Sequence, residues 1–222
     1  MTTDPGGEPR AAADPLRELV AVMDRLRSPG GCPWDAAQTH TSLLPYLLEE
    51  SHELAEAVEG DDRAALREEL GDVLLQVVFH ARIATEHPDD PFDVDDVARD
   101  LVAKLVRRHP HVFADAEVAS MGALHTQWDR IKRAEKDRSS ALDGVPGSLP
   151  ALARAQKIAS RAARAGLDAP VPHDDELGAH LLELVRDAHA QGVDAEGALR
   201  RATGVWEAAL RSAEAAGEAS SG

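Results

Sequence analysis

Apolar residues recur three and four apart along most of the chain, and no segment alternates with period two for long. The pattern predicts helices and no strand. Asp14-Pro15 offers an N-cap followed by proline at the first helical position, so a first helix runs to about Arg27 and stops at Pro29-Gly30-Gly31. A loop through Gly31-Cys32-Pro33-Trp34-Asp35 follows. A second helix starts near Ser42, with Pro45 tolerated in its first turn, and ends at Gly60 as the C′ residue. Asp61 or Asp62 caps a third helix that reaches about Glu86. A fourth spans Asp93 to Arg108, and a fifth runs from about Ser120 to Asp137. Leu47, Leu54 and Val58 on the second helix, and Leu66, Leu70, Val73 and Val77 on the third, are the expected core of this part.

Pro146, Gly147 and Pro150 break the pattern, so 138–150 reads as a linker. Beyond it come helices at 151–165, closed by Gly166, and at about 174–190 and 194–216. The chain thus divides into a disordered lead at 1–13, a helical domain at 14–137, the linker, a second helical region at 151–216 and a frayed tail at 217–222.

Composition sharpens this picture. The 222 residues suffice for a core without disulfides, and the single Cys32 excludes both an internal disulfide and a cysteine zinc site. The chain is rich in Ala, lacks Asn, and has only three Trp, three Phe and one Tyr, which suits closely packed helices. Its net charge of −16 argues against binding a nucleic acid polymer or docking on an anionic membrane. No apolar run is long enough to span a bilayer and the start lacks an apolar leader, so a cytoplasmic location is expected.

The second and third helices carry the strongest chemical signal. Glu50 and Glu53 are spaced i,i+3, as are Glu69 and Asp72, so each pair shares a helix face. The turn between the helices is short, which makes them an antiparallel hairpin. Glu50 with Asp72, and Glu53 with Glu69, are each centred on position 61, so all four carboxylates can converge on two levels about one turn apart. Ionised together they repel, unless a hard divalent cation, Mg²⁺ or Mn²⁺, neutralises them. The competing reading is a solvated acidic face in an acidic protein. Glu49-x-x-His52 raises a di-iron bundle, but that site needs the motif on a second helix, and the sequence has no second copy.

Lys104, Arg107 and Arg108 cluster at the end of the fourth helix. They serve either as a C-terminal charge cap or as a phosphate grip. Trp128, with Lys132 one turn on, reads as core or as a stacking surface for a base. A partial repeat is also visible at an offset of 107. Glu69, Leu70, Gly71, Leu74 and Leu75 are matched by Glu176, Leu177, Gly178, Leu181 and Leu182, but Asp72 is matched by Ala179.

Several motifs together resemble those of the MazG-type nucleoside triphosphate pyrophosphohydrolases. They are Gly31 to Asp35 with Gln38-Thr39-His40, Glu49-Glu50-x-x-Glu53, Glu69-x-x-Asp72, the run from Lys104 to Phe113, Trp128-x-x-Ile131-Lys132, and Leu142 to Pro146 with Ala155-x-Lys157-Ile158. The resemblance covers about 16–167. It implies an all-α helical bundle completed by dimerisation, which cleaves an NTP or dNTP between the α- and β-phosphates with Mg²⁺. It also implies metal ligation by Glu50, Glu53, Glu69 and Asp72, with Glu49 beside them to position water. Nucleotide contacts are then expected at Lys104 and Trp128, and at Arg107, Arg108 and Lys132. Two-copy members carry acidic motifs in both halves. The second half here has lost them, so activity falls to the first copy, or else the protein is a weak, nucleotide-sensing or interaction module.

Overall fold

The computed structural model describes residues 14–114, 139–172 and 176–219, together with Gly122, Gln127, Trp128, Ile131 and Glu135; at 217–219 it describes the backbone alone. Among the described residues all regular structure is helical, so the fold is all-α. The chain forms two compact units, 1–116 and 117–222, and the division falls ahead of the expected linker. The first unit holds α1 (Pro15–Arg27), α2 (Pro33–Ala37), α3 (Leu44–Glu59), α4 (Arg63–Ala84), α5 (Val94–Arg108) and α6 (Pro110–Phe113). The second holds α7 (Ala151–Ala165), α8 (Glu176–Ala190) and α9 (Ala195–Ala219).

The Asp14 carboxylate accepts from the Leu16 amide at 3.0 Å and opens α1. At its other end the chain folds back sharply. A Cβ on Gly31 would lie 2.3 Å from the carbonyl oxygens of Arg25 and Leu26, so only glycine fits there. The following segment, expected to be a loop, contains the short helix α2. Five residues are too few to show a period. Two tertiary bonds hold this helix instead, because the Arg27 guanidinium donates to the carbonyls of Asp35 at 2.6 Å and Gln38 at 3.0 Å.

The antiparallel pair α3 and α4 is the backbone of the first unit. Its turn differs from expectation in one detail. Gly60 keeps right-handed geometry, and Asp61 takes the positive φ of 53°. A short polar residue tolerates that conformation. Asp62 then caps α4 by accepting from the amides of Ala64 and Ala65. Met23, Leu43, Val78 and Phe79 form the buried core, with Leu19, Leu74, Leu75 and Ile83 packed on it. Of the expected core residues, Leu47, Leu54, Leu66 and Val73 are half-buried. Val58, Leu70 and Val77 are instead 59 %, 52 % and 42 % exposed, because they face away from the α1–α4 contact. Arg82 bonds Asp24 and Glu86, and Arg27 bonds Glu86, so the far ends of α1 and α4 are tied by ion pairs. A capping box between Asp93 and Asp96 starts α5. The short α6 was not anticipated and begins at Pro110.

In the second unit Gly166, at φ 65°, ends α7 as its spacing predicts. The stretch read as a linker is a series of turns fastened to α7, where Arg161 donates to the carbonyl of Asp143 at 2.5 Å. Gln156 of α7 donates to the Val193 carbonyl and accepts from the Ala195 amide, which fixes the start of α9. That helix continues to Ala219, into the segment expected to fray, and residues 201–216 are exposed along its length. The expected helix at 120–137 lies mostly outside the described residues; the five described within it are helical. The expected lead at 1–13 lies outside them as well.

Candidate metal and nucleotide site

The α3–α4 hairpin brings carboxylates together as its register requires. One oxygen each from Glu50, Glu69 and Asp72 lies within 4.8 Å of the others, and all three residues are half-buried. Glu53 is outside that group, and its charge acts on both Glu50 and Glu69. Glu49 is exposed and does not enter the group, and neither does His52. Among the described residues no histidine joins a cluster of metal-ligand type, so nothing here resembles a di-iron site.

Burial raises the proton affinity of the Glu50 carboxyl above the ordinary 4.5, and the charges of Asp72 and Glu53 add to it. Burial also raises Glu69, with Glu53 and Asp72 next in importance. Among the described residues no cation stands with the charges acting on either group. Glu69 has one oxygen, Oε2, that is buried and without a partner. Clustered, partly desolvated carboxylates with a spare oxygen are the donor set that a hard divalent cation takes, and the residues therefore fit Mg²⁺ or Mn²⁺.

Lys104 and Arg107 are exposed on the last turns of α5, and Arg108 is half-buried beside them. Trp128 belongs to the second unit, where it is helical and half-buried. Lys132 lies outside the described residues. Sequence reasoning missed an aromatic corner in the first unit. Trp34, half exposed, meets Tyr46 edge-on at 5.9 Å and Phe79 at 6.4 Å. It also missed a polar row on α4, where Gln76 is buried and His80 stacks on His40 with their Nδ1 atoms 2.8 Å apart. Burial, and then the neighbouring His40, push the His80 imidazole down toward its neutral form. The hairpin register held the signal for part of this, since Tyr46 with Gln76 is also centred on position 61.

In the second unit Ala179, at the position corresponding to Asp72, is buried at 7 % exposure. Among the described residues that unit contains no cluster of metal-ligand type.

Comparison with known proteins agrees with the hairpin. Residues 38–113, which contain the acidic motifs and the α5 cations, match the MazG nucleotide pyrophosphohydrolase domain. The chain is 42 % identical to the nucleoside triphosphate pyrophosphohydrolase/pyrophosphatase MazG of Thermotoga maritima over 212 residues, covering 85 % of this chain and 81 % of that protein. It is 43 % identical to the nucleoside triphosphate pyrophosphohydrolase of Escherichia coli K12 over 185 residues, covering 81 % and 70 %. It is 51 % identical to an uncharacterized 26.1 kDa protein of Streptomyces cacaoi over 201 residues, covering 90 % and 82 %. With identity at this level across most of its length and the acidic hairpin in place, the chain belongs to the MazG family of nucleoside triphosphate pyrophosphohydrolases.

Proposed function

We propose that this protein hydrolyses a nucleoside triphosphate, ribo or deoxy, to the monophosphate and pyrophosphate, and that it does so in clearing unwanted nucleotides from the cytoplasmic pool. The observation that carries the reading is the convergence of Glu50, Glu69 and Asp72 on one hairpin. The names of the Thermotoga and Escherichia relatives support the same activity. No described helix is long and apolar enough to cross a membrane.

In this reading Glu50, Glu69 and Asp72 would hold Mg²⁺, with Mn²⁺ as a substitute, and Glu53, on the same face of α3 as Glu50, completes the set. The cation supplies charge neutralisation at the phosphate oxygens when bound. Glu49, at the rim, orients the attacking water and takes its proton. The water oxygen forms a new bond to phosphorus as the bridge between the α- and β-phosphates breaks, and the pyrophosphate leaves with the electron pair of that bridge. Lys104, Arg107 and Arg108 grip the outer phosphates. Trp128 and Lys132 are assigned as nucleotide contacts by the family resemblance alone.

The active form is a homodimer. Leu44, Leu48 and Val58 on α3, Leu70 and Val77 on α4, and Leu101 on α5 are bare in the single chain, and a second copy would cover such faces.

Incubation of the purified protein with Mg²⁺ and a panel of NTPs and dNTPs tests the activity. Monophosphate and pyrophosphate in equal amounts, abolished by EDTA, are the expected products. Nucleotide binding without turnover would instead favour a sensing module.

A further inference from the structure

The face of α4 that carries Glu69 and Asp72 continues past them. Counting 3.6 residues per turn, Glu69, Asp72, Gln76 and His80 all fall within about a quarter of the helix circumference. The hairpin register sets Tyr46 level with Gln76, one turn beyond the Glu50–Asp72 level and away from the turn at 61. Trp34 packs edge-on against that Tyr46. The carboxylate cluster therefore adjoins, one turn along, a half-exposed indole and a buried amide.

The oxygen of that amide is left without a partner among the described residues. Gln76 is 4 % exposed, and its Oε1 has no hydrogen-bond partner. On the next turn the Nε2 of His80 is buried and also unpartnered, while the other ring nitrogen is occupied by His40. A buried acceptor without a donor is destabilising, and a leucine in the same space would not be. Such a group is accounted for when a ligand supplies the donor. The orphan is an acceptor, so the missing partner is an N–H or O–H. A triphosphate held at the carboxylates extends its nucleoside end away from them, and of the donors there a base edge offers N–H groups beside an aromatic surface.

We propose that Gln76 is a specificity-determining residue of this site, its amide oxygen accepting a hydrogen bond from an N–H on the edge of the substrate's nucleobase. This rests on the pyrophosphohydrolase reading above. His80, held by His40, borders the same edge and limits which bases fit. Discrimination follows because the bases carry their N–H donors at different positions on that edge, and a base whose donor falls elsewhere leaves the buried oxygen unpaired.

The test compares kcat/KM for ATP, GTP, CTP, UTP and dATP in wild type, Gln76→Leu and Gln76→Glu, with Mn²⁺ affinity and melting temperature measured alongside. Gln76→Leu should lose at least about tenfold on the best wild-type substrate and less on the others, so that the order of preference flattens. Its melting temperature and Mn²⁺ affinity should not fall. Gln76→Glu keeps an acceptor and should keep the order. Should Gln76→Leu fail to fold, Gln76→Met carries the same expectation in an unbranched shape. An equal loss on all nucleotides, no loss at all, or a loss that separates ATP from dATP rather than base from base overturns the assignment; no loss would mean that a buried water fills the gap. Wild type that turns over none of the nucleotides overturns the pyrophosphohydrolase reading and this inference together. Normal wild-type turnover with an unchanged order in Gln76→Leu overturns this inference alone.

Discussion

Asp72 and Ala179 stand on two helices whose sequences align at an offset of 107, and the difference between them separates a charged site from a packed one. Asp72 is half-buried beside Glu50 and Glu69, whereas Ala179 is buried. Converting Asp72→Asn or Glu69→Gln should reduce turnover at least a hundredfold, with a melting temperature unchanged or raised, since a repelling charge is removed. A near-normal rate in either variant, or loss of the fold, would refute the carboxylate assignment. Glu86 shows the opposite electrostatics. Hydrogen bonds from Arg27 are the main reason that its carboxyl lies below the ordinary 4.5. A depressed value means stability that is full above 4.5 and is lost as pH falls through the depressed value. Thermal melts of wild type and Glu86→Gln should therefore differ at neutral pH and converge in acid. A gap that stays constant with pH would show that the ion pair contributes nothing.

At the level of elements, the site depends on how two helices begin and one loop folds. Asp62 sets the start of α4, and so the level at which Glu69 and Asp72 meet Glu50. Asp62→Ala should cost about 1 kcal/mol of stability, read from urea unfolding, with little change in the chemical step. Gly31 is different in kind, because any side chain there collides with the end of α1. Gly31→Ala should displace α2 and Trp34 and weaken nucleotide binding more than it lowers kcat. Unchanged KM in a folded Gly31→Ala protein would separate α2 from the site. The helices of ten or more residues were legible from periodicity, caps and breakers. The two short ones, α2 and α6, were not, since four or five residues carry no period and tertiary bonds or a proline hold them.

For the whole molecule, the decisive quantity is apolar surface left bare. Leu48 and Leu101 are 61 % and 44 % exposed. In a monomer, replacing both with Asp would be nearly neutral. In a homodimer the change should lower the mass seen by light scattering from twice 23.7 kDa to the single value and reduce turnover. A wild-type mass of 23.7 kDa at micromolar concentration would remove the dimer from the reading. The second unit is expected to stabilise rather than react. Glu176 is exposed, and at 179 the chain has alanine. Glu176→Ala should thus leave the Mg²⁺-dependent rate unchanged, and a folded variant that loses it would assign this half a chemical part.

The sequence by itself determined the helical class, the long helices, the hairpin turn near 61 and the families of carboxylates that turn would set level. These follow from local spacing, which a chain carries regardless of what it packs against. Tertiary structure alone decided that Glu50, Glu69 and Asp72 form the close group while Glu53 stands outside it, because side-chain reach and burial depend on how near the two helices approach. It also decided that Val58, Leu70 and Val77 face outward, and that Gln76 is enclosed with its oxygen unpaired. An amphipathic pattern names the residues that seek a partner. Only the assembled helices show which have found one.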